Sequence, residues 1–155
     1  MKIVVLYDSY FGNTEKIAQT IGQSLDSSHE VKVLKVSDMT LDQLKGTEVF
    51  IVGSPTRAFR PTPLISSFLN SIPSQGLKDT KVVAFDTGIA PMDIKSSFLR
   101  FIVTKAGYAA KPIANLLVQK GGTLVVPPTG FFVTSNEGPL KDGELERASS
   151  LVKLE

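Results

Sequence analysis

Apolar residues in this chain gather in short unbroken runs instead of alternating with polar ones. Residues 3–7, 49–52, 82–85 and 124–126 are such runs, rich in β-branched and aromatic side chains. A run without polar interruption suits a strand covered on both faces, as in a parallel sheet. Residues 31–36 differ, because Lys32 and Lys35 break the run. That predicts an edge strand, whose charges discourage pairing with another chain.

Between these runs the spacing becomes helical. Residues 14–25 set Ile17, Ile21 and Leu25 four apart on one stripe. A short helix is predicted over 41–44. Residues 63–70 open on Pro63, suited to a first turn, and present Leu64, Ile65, Phe68 and Leu69. Residues 109–120 carry Ile113, Leu116 and Leu117, and Gly121 with Gly122 ends them. Residues 143–154 supply a last helix with Leu145, Ala148, Leu151 and Val152. Strand and helix thus alternate along the whole chain. Right-handed crossovers turn that order into an α/β fold, a three-layer doubly wound sandwich on a five-stranded parallel sheet. A single domain over 1–155 is expected. One connection is out of proportion: residues 87–108 exceed an ordinary strand-to-helix link. Within it, Phe98, Leu99, Phe101 and Ile102 predict an added helical turn or two.

Composition removes whole classes of chemistry. Hydrophobic residues make up 42% of 155, enough for a real core and too many for a disordered tail. Cysteine is absent, so there is no disulfide framework, thiolate metal site or thiol nucleophile. His29 is the one histidine and precedes the edge strand, which excludes a multi-histidine metal site; no metal is expected. Seventeen Lys+Arg against 15 Asp+Glu leave +2, a balance that does not announce nucleic acid. No apolar run approaches the ~20 residues of a membrane span, and the first residues lack a signal-peptide pattern. The expectations are therefore no nucleic acid, no membrane and a cytoplasmic setting.

Open α/β sheets bind ligands at the carboxyl ends of their strands, where strand order reverses. The loop after the first strand reads Ser9, Tyr10, Phe11, Gly12, Asn13 and Thr14, and runs into a helix start. Free backbone N–H groups there, with the helix dipole behind them, favour an anion. Ser9, Asn13 and Thr14 can add side-chain donors, and no Lys or Arg sits in the loop. One reading is a phosphate held by neutral donors; the other is that Asn13 or Thr14 merely caps the helix. The patterns G-x-x-x-x-G-K, G-x-G-x-x-G and G-x-S-x-G are missing.

Residues 9–14 resemble the phosphate loop S/T-x-T-G-N-T of flavodoxins, with Phe11 in place of the usual Thr. Pro55, Thr56, Arg57, Ala58 and Phe59, after Gly53 and Ser54, are similar to the loop that lines one flavin face in that family. Residues 137–140 and 143–148 resemble its C-terminal pattern. The resemblance spans nearly the whole chain. It implies strand order 2-1-3-4-5 and an FMN cofactor whose phosphate sits on residues 9–14. It also implies a ring framed by residues 55–59 and by Asp86, Thr87, Gly88 and Ile89. Function would then be electron transfer through the bound flavin, with no catalytic side chain. The partner would be a redox protein or a small-molecule electron donor or acceptor, the chain a monomer or weak homodimer. Two alternatives stand beside it: a small NAD(P)H-dependent quinone or flavin reductase, or a module of the same fold that has lost FMN.

Two departures from the family pattern bear on that reading. Arg57 stands where an aromatic often stacks on the flavin, leaving Phe59, or Phe98, Phe101 or Tyr108 from the long connection, to cover the ring. Family electron carriers are strongly acidic, whereas the isoelectric point here is near 8.8. Arg57 and Arg60 beside the ring would favour its anionic reduced form. Asp86 is expected either as a turn former or as a partner of the flavin edge.

Overall fold

The computed structural model describes residues 1–154, with only the helical backbone described over 102–106. The first strand, β1 (Lys2–Tyr7), leads into α1 (Asn13–Leu25), the edge strand β2 (Glu30–Lys35) and two short 3-10 turns at Val36–Asp38 and Leu41–Leu44. The chain continues through β3 (Val49–Pro55), α2 (Pro63–Ser71) and β4 (Lys81–Ile89). Helices α3 (Ser97–Ala106) and α4 (Ala110–Gln119) precede two strand segments, β5 (Thr123–Leu124) and β6 (Thr129–Val133), and α5 (Glu144–Ser149) closes the fold.

All sheet pairings are parallel, in the order β2-β1-β3-β4. The fifth place, along the far side of β4, is shared: β5 pairs with Lys81 and Val82, and β6 pairs with residues 85–89. The doubly wound order expected from the sequence is therefore present. Its fifth strand differs from the predicted 124–126 segment, because Pro127 and Pro128 interrupt it and its longer half runs on at Thr129–Val133.

Continuous apolar strands do what that pattern requires. One face packs Val4, Leu6, Phe50, Val52 and Ala84 onto Ile65 and Leu69 of α2 and Ile113 and Leu117 of α4. The other packs Ile3, Val5, Ile51, Val83 and Phe85 onto Ile17 and Ile21 of α1 and Ala148 of α5. Each buried aliphatic side chain contributes roughly 1.5–3 kcal/mol of transfer free energy. The last helix stops at Ser149, short of the predicted 154, but Val152 remains buried on the same face.

The long connection holds a 3-10 turn at Pro91–Asp93 and then α3. Phe98 and Phe101 are largely exposed, 72% and 62%. The side chain of Ile102 lies outside the described residues. A salt bridge between Lys141 and Asp93 ties the connection to the loop before α5.

Candidate functional site

The loops after β1, β3, β4 and β6 converge at the carboxyl edge of the sheet. They form a cleft lined by Ser9, Tyr10, Phe11, Asn13 and Thr14 from the first, and Pro55, Thr56 and Arg57 from the second. Thr87, Gly88 and Ile89 from β4, with Val133 and Asn136, complete it. It encloses about 60 Å3, room for a few waters or one phosphoryl group but not for a tricyclic ring.

The first loop is a preformed turn. Gly12 has φ +90, a conformation that costs a residue with a Cβ about 1–2 kcal/mol. The Ser9 hydroxyl accepts the Gly12 N–H at 3.1 Å and the Glu15 N–H at 3.4 Å, and Lys16 N–H closes onto the Gly12 carbonyl. The backbone N–H groups of Tyr10, Phe11, Asn13 and Thr14 have no partner among the described residues. Unsatisfied donors at a helix start are the normal setting for an anion.

Two of the side chains expected as ligand donors are instead committed to the scaffold. Asn13 Nδ2 donates to the Glu137 carbonyl at 3.1 Å, pinning the loop after β6 against α1. A Cβ on Gly138 would meet that amide at 2.6 Å, so the close approach needs glycine there. Thr14, 1% exposed, shares a hydrogen bond with Thr87.

The second loop is a tight hairpin. Arg57 and Arg60 exchange both backbone hydrogen bonds, at 2.8 and 2.9 Å, across Ala58 and Phe59. Both intervening residues take positive φ, 48 and 68. The turn carries the Arg57 guanidinium over the rings of Tyr10, 5.2 Å to the centroid, and Phe11, 6.0 Å. A cation thus faces the rim of the cleft, while the turn of residues 9–14 has none of its own. Ala58 and Phe59 do not line the cleft, nor does Gly12, whose open side faces Glu15 and Lys16.

Asp86 also lies away from the cleft. Alternation along β4 sends Thr87 to the α1 face and Asp86 to the α4 face. There Asp86 Oδ2 accepts the Ala110 N–H at 2.9 Å, and Thr56 Oγ1 accepts the Ala109 N–H at 3.0 Å; together they hold the start of α4. Asp86 is neither a turn former nor a cleft residue. Burial pushes its carboxyl up to about 7, against the opposing pull of the Ala110 hydrogen bond.

Of the aromatics in the long connection, Tyr108 comes nearest the cleft. Its hydroxyl donates to the Ile89 carbonyl at 2.7 Å, and its ring lies 3.2 Å from where a Cβ on Gly88 would be. Burial, with the Asp86 charge adding to it, raises the phenol to about 12. The sequence reading missed Val133 and Asn136 as lining residues; their nearest signal is the Glu137-Gly138-Pro139 segment beside them. No cluster of three or more potential metal ligands and no membrane-spanning helix exists among the described residues.

Comparison with known proteins agrees with this architecture. A family model described as a flavodoxin domain matches residues 4–132. A flavodoxin from the domain Archaea superposes with a TM-score of 0.77 at 25% identity, covering 97% of this chain and 93% of that one. Oxidised Flavodoxin 2 from Bacillus cereus gives 0.74 at 25% identity, covering 97% and 94%. A WrbA-like flavodoxin from Agrobacterium tumefaciens, 18% identical with a TM-score of 0.69 and coverage of 96% and 90%, shares the fold.

Proposed function

The chain belongs to the flavodoxin domain family, and on that premise we propose that it binds FMN and carries electrons between redox partners. The observation that carries the reading is the turn at residues 9–14. Four backbone donors without a partner among the described residues converge there on a cleft of phosphoryl size. The N–H groups of Tyr10, Phe11, Asn13 and Thr14 would hold the phosphate with the dipole of α1 behind them. Ser9 keeps the turn in shape by accepting the Gly12 and Glu15 N–H groups. Asn13 closes one wall through Glu137. Pro55, Thr56, Arg57, Thr87, Gly88 and Ile89 border the open side, where a ring would lie across the rim.

When bound, FMN supplies one- or two-electron transfer. The chain's share is position and charge. Arg57 stands at the rim as a fixed cation that favours added negative charge nearby. No side chain is required as a general acid or base.

The test is titration of the purified chain with FMN, read by flavin fluorescence quenching and by the visible spectrum after gel filtration. Retained flavin bands and an affinity for FMN well above that for riboflavin are expected. A chain that stays colourless with excess FMN would overturn the reading in favour of a module without cofactor. Oxidation of NAD(P)H by the flavin-loaded chain alone would overturn the carrier role in favour of a reductase.

A further inference from the structure

Charge is divided unevenly along the chain. Residues 51–136 hold nine Lys and Arg, three Asp and no Glu, while the remainder holds eight basic residues against twelve acidic ones. The division is also spatial. The basic stretch supplies α2 and α4, which cover one face of the sheet, whereas α1 and α5 cover the other. None of its three aspartates offsets the excess at the carboxyl edge. Asp86 is buried, Asp93 is bridged to Lys141, and Asp79 precedes β4, at the opposite end of the strands.

Four exposed cations belong to that edge. Arg57 and Arg60 close the hairpin after β3. The hydrogen bond from the Ala109 N–H to the Thr56 hydroxyl, 3.0 Å, brings the start of α4 beside that hairpin, and Lys111 with it. Lys95 lies on the connection that leaves β4 after Ile89 and returns to the Ile89 carbonyl through Tyr108. None of the four forms an ion pair among the described residues. Tyr10 and Phe11, 50% and 48% exposed, stand under the Arg57 guanidinium. Arginine and aromatic rings are the side chains enriched in protein-binding surfaces, and a rim of one sign steers in a partner of the other.

We propose that the electron-transfer partner is an acidic protein that docks on this basic side of the cleft, over Arg57, Arg60, Lys95 and Lys111. That the partner is a redox protein rests on the FMN reading; its charge does not. A one-electron acceptor is reduced twice for each fully reduced flavin that is reoxidised, and the flavin's protons leave to solvent. A flat anionic bilayer fits the edge less well. Glu15 and Glu137, exposed on the α1 side of the cleft, would face it as like charges, whereas a convex protein covers the basic side alone.

The probes are the soluble domain of an acidic b5-type cytochrome and a basic c-type cytochrome, both one-electron acceptors. The FMN-loaded chain is photoreduced and mixed with each. Reoxidation by the acidic cytochrome is expected to slow about tenfold as salt rises from about 10 mM to about 300 mM, because screening removes the steering. Salt should not slow the reaction with the basic cytochrome. Lys95→Glu combined with Lys111→Glu should cut the low-salt rate with the acidic cytochrome about tenfold and leave reoxidation by uncharged benzoquinone unchanged. Docking is also read without flavin: the acidic cytochrome should shift amide resonances of residues 57–60, 95 and 111 at low salt, and salt should reverse the shifts. A chain that takes up no FMN sinks the carrier reading, while these shifts still decide the docking. A rate with the acidic cytochrome that salt leaves unchanged or raises, an unaffected double variant, or shifts absent from those residues overturns the proposal. Sedimentation with phosphatidylglycerol vesicles, without a response to the acidic cytochrome, overturns it in favour of a lipid surface.

Discussion

The hydroxyl oxygens of Thr14 and Thr87 lie 2.7 Å apart, buried, and join the first turn of α1 to the carboxyl end of β4 across 73 positions of sequence. Two walls of the cleft are thereby held in one register. Thr14→Val keeps the shape and removes one partner, leaving the Thr87 hydroxyl buried and unsatisfied. A loss of ~1–3 kcal/mol in urea-unfolding free energy is expected. FMN affinity should fall more than riboflavin affinity, because the displaced turn faces the phosphate. Equal losses for the two flavins would remove residues 9–14 from phosphate binding.

Arg57, stacked over Tyr10 and Phe11 at the rim, should make the bound flavin easier to reduce. Replacing it with Ala removes a cation next to developing negative charge. The midpoint potential is expected to drop by about 20–60 mV, the one-electron equivalent of roughly 0.5–1.4 kcal/mol. Redox titration of the two proteins decides it; an unchanged or raised potential in Arg57→Ala refutes the electrostatic role.

The hairpin at Arg57–Arg60 holds Ala58, exposed, at φ 48. Two-residue turns of this hand favour glycine or asparagine. Ala→Gly normally destabilises by ~0.5–1 kcal/mol through the entropy of the unfolded chain. Here relief of the left-handed conformation, worth about 1–2 kcal/mol, should outweigh that loss. Ala58→Gly is expected to raise the unfolding free energy by roughly 0.5–1 kcal/mol; a decrease would show that the strain is absent.

Asp86 predicts a pH dependence of stability. Its carboxyl titrates at about 7 in the fold against 3.8 ordinarily, so the folded chain holds the proton more tightly than the unfolded one. Stability from this group is full below pH ~4 and is lost as pH rises toward 7, by up to about 1.4 kcal/mol per pH unit. The titratable groups beside it are Tyr108, a neutral phenol whose upward shift the Asp86 charge adds to, and Lys111, next to Ala110 at the start of α4. Asp86→Asn keeps an acceptor for Ala110 and cannot ionise. Urea unfolding at intervals from pH 4 to 8 should give a flatter curve for the variant, which overtakes the wild type by pH 8. Parallel curves would show that Asp86 titrates normally.

Strands buried on both faces were readable because nothing polar interrupts them, and the turn at residues 9–14 because glycine, amide and hydroxyl residues follow such a run directly. Stopping the fourth strand at residue 85 hid the alternation that sends Asp86 and Thr87 to opposite faces, so both were placed beside the same ligand. The half-strand Thr129–Val133 was missed because two prolines and a Thr-Gly pair precede its phenylalanines and read as a turn. Asn136 was invisible for a different reason. Its place at the cleft depends on Asn13 holding Glu137, 124 positions away, and no local pattern carries that information.

Pro127 and Pro128 have one more effect. Neither has an amide hydrogen, and they fall in the middle of the sheet's outer border, between a two-residue and a five-residue segment. A neighbouring chain seeking to extend the sheet there would find its ladder broken at midpoint. Crowding at high concentration is thus resisted on that side by covalent structure, and salt, which screens charge repulsion elsewhere on the surface, leaves this protection intact.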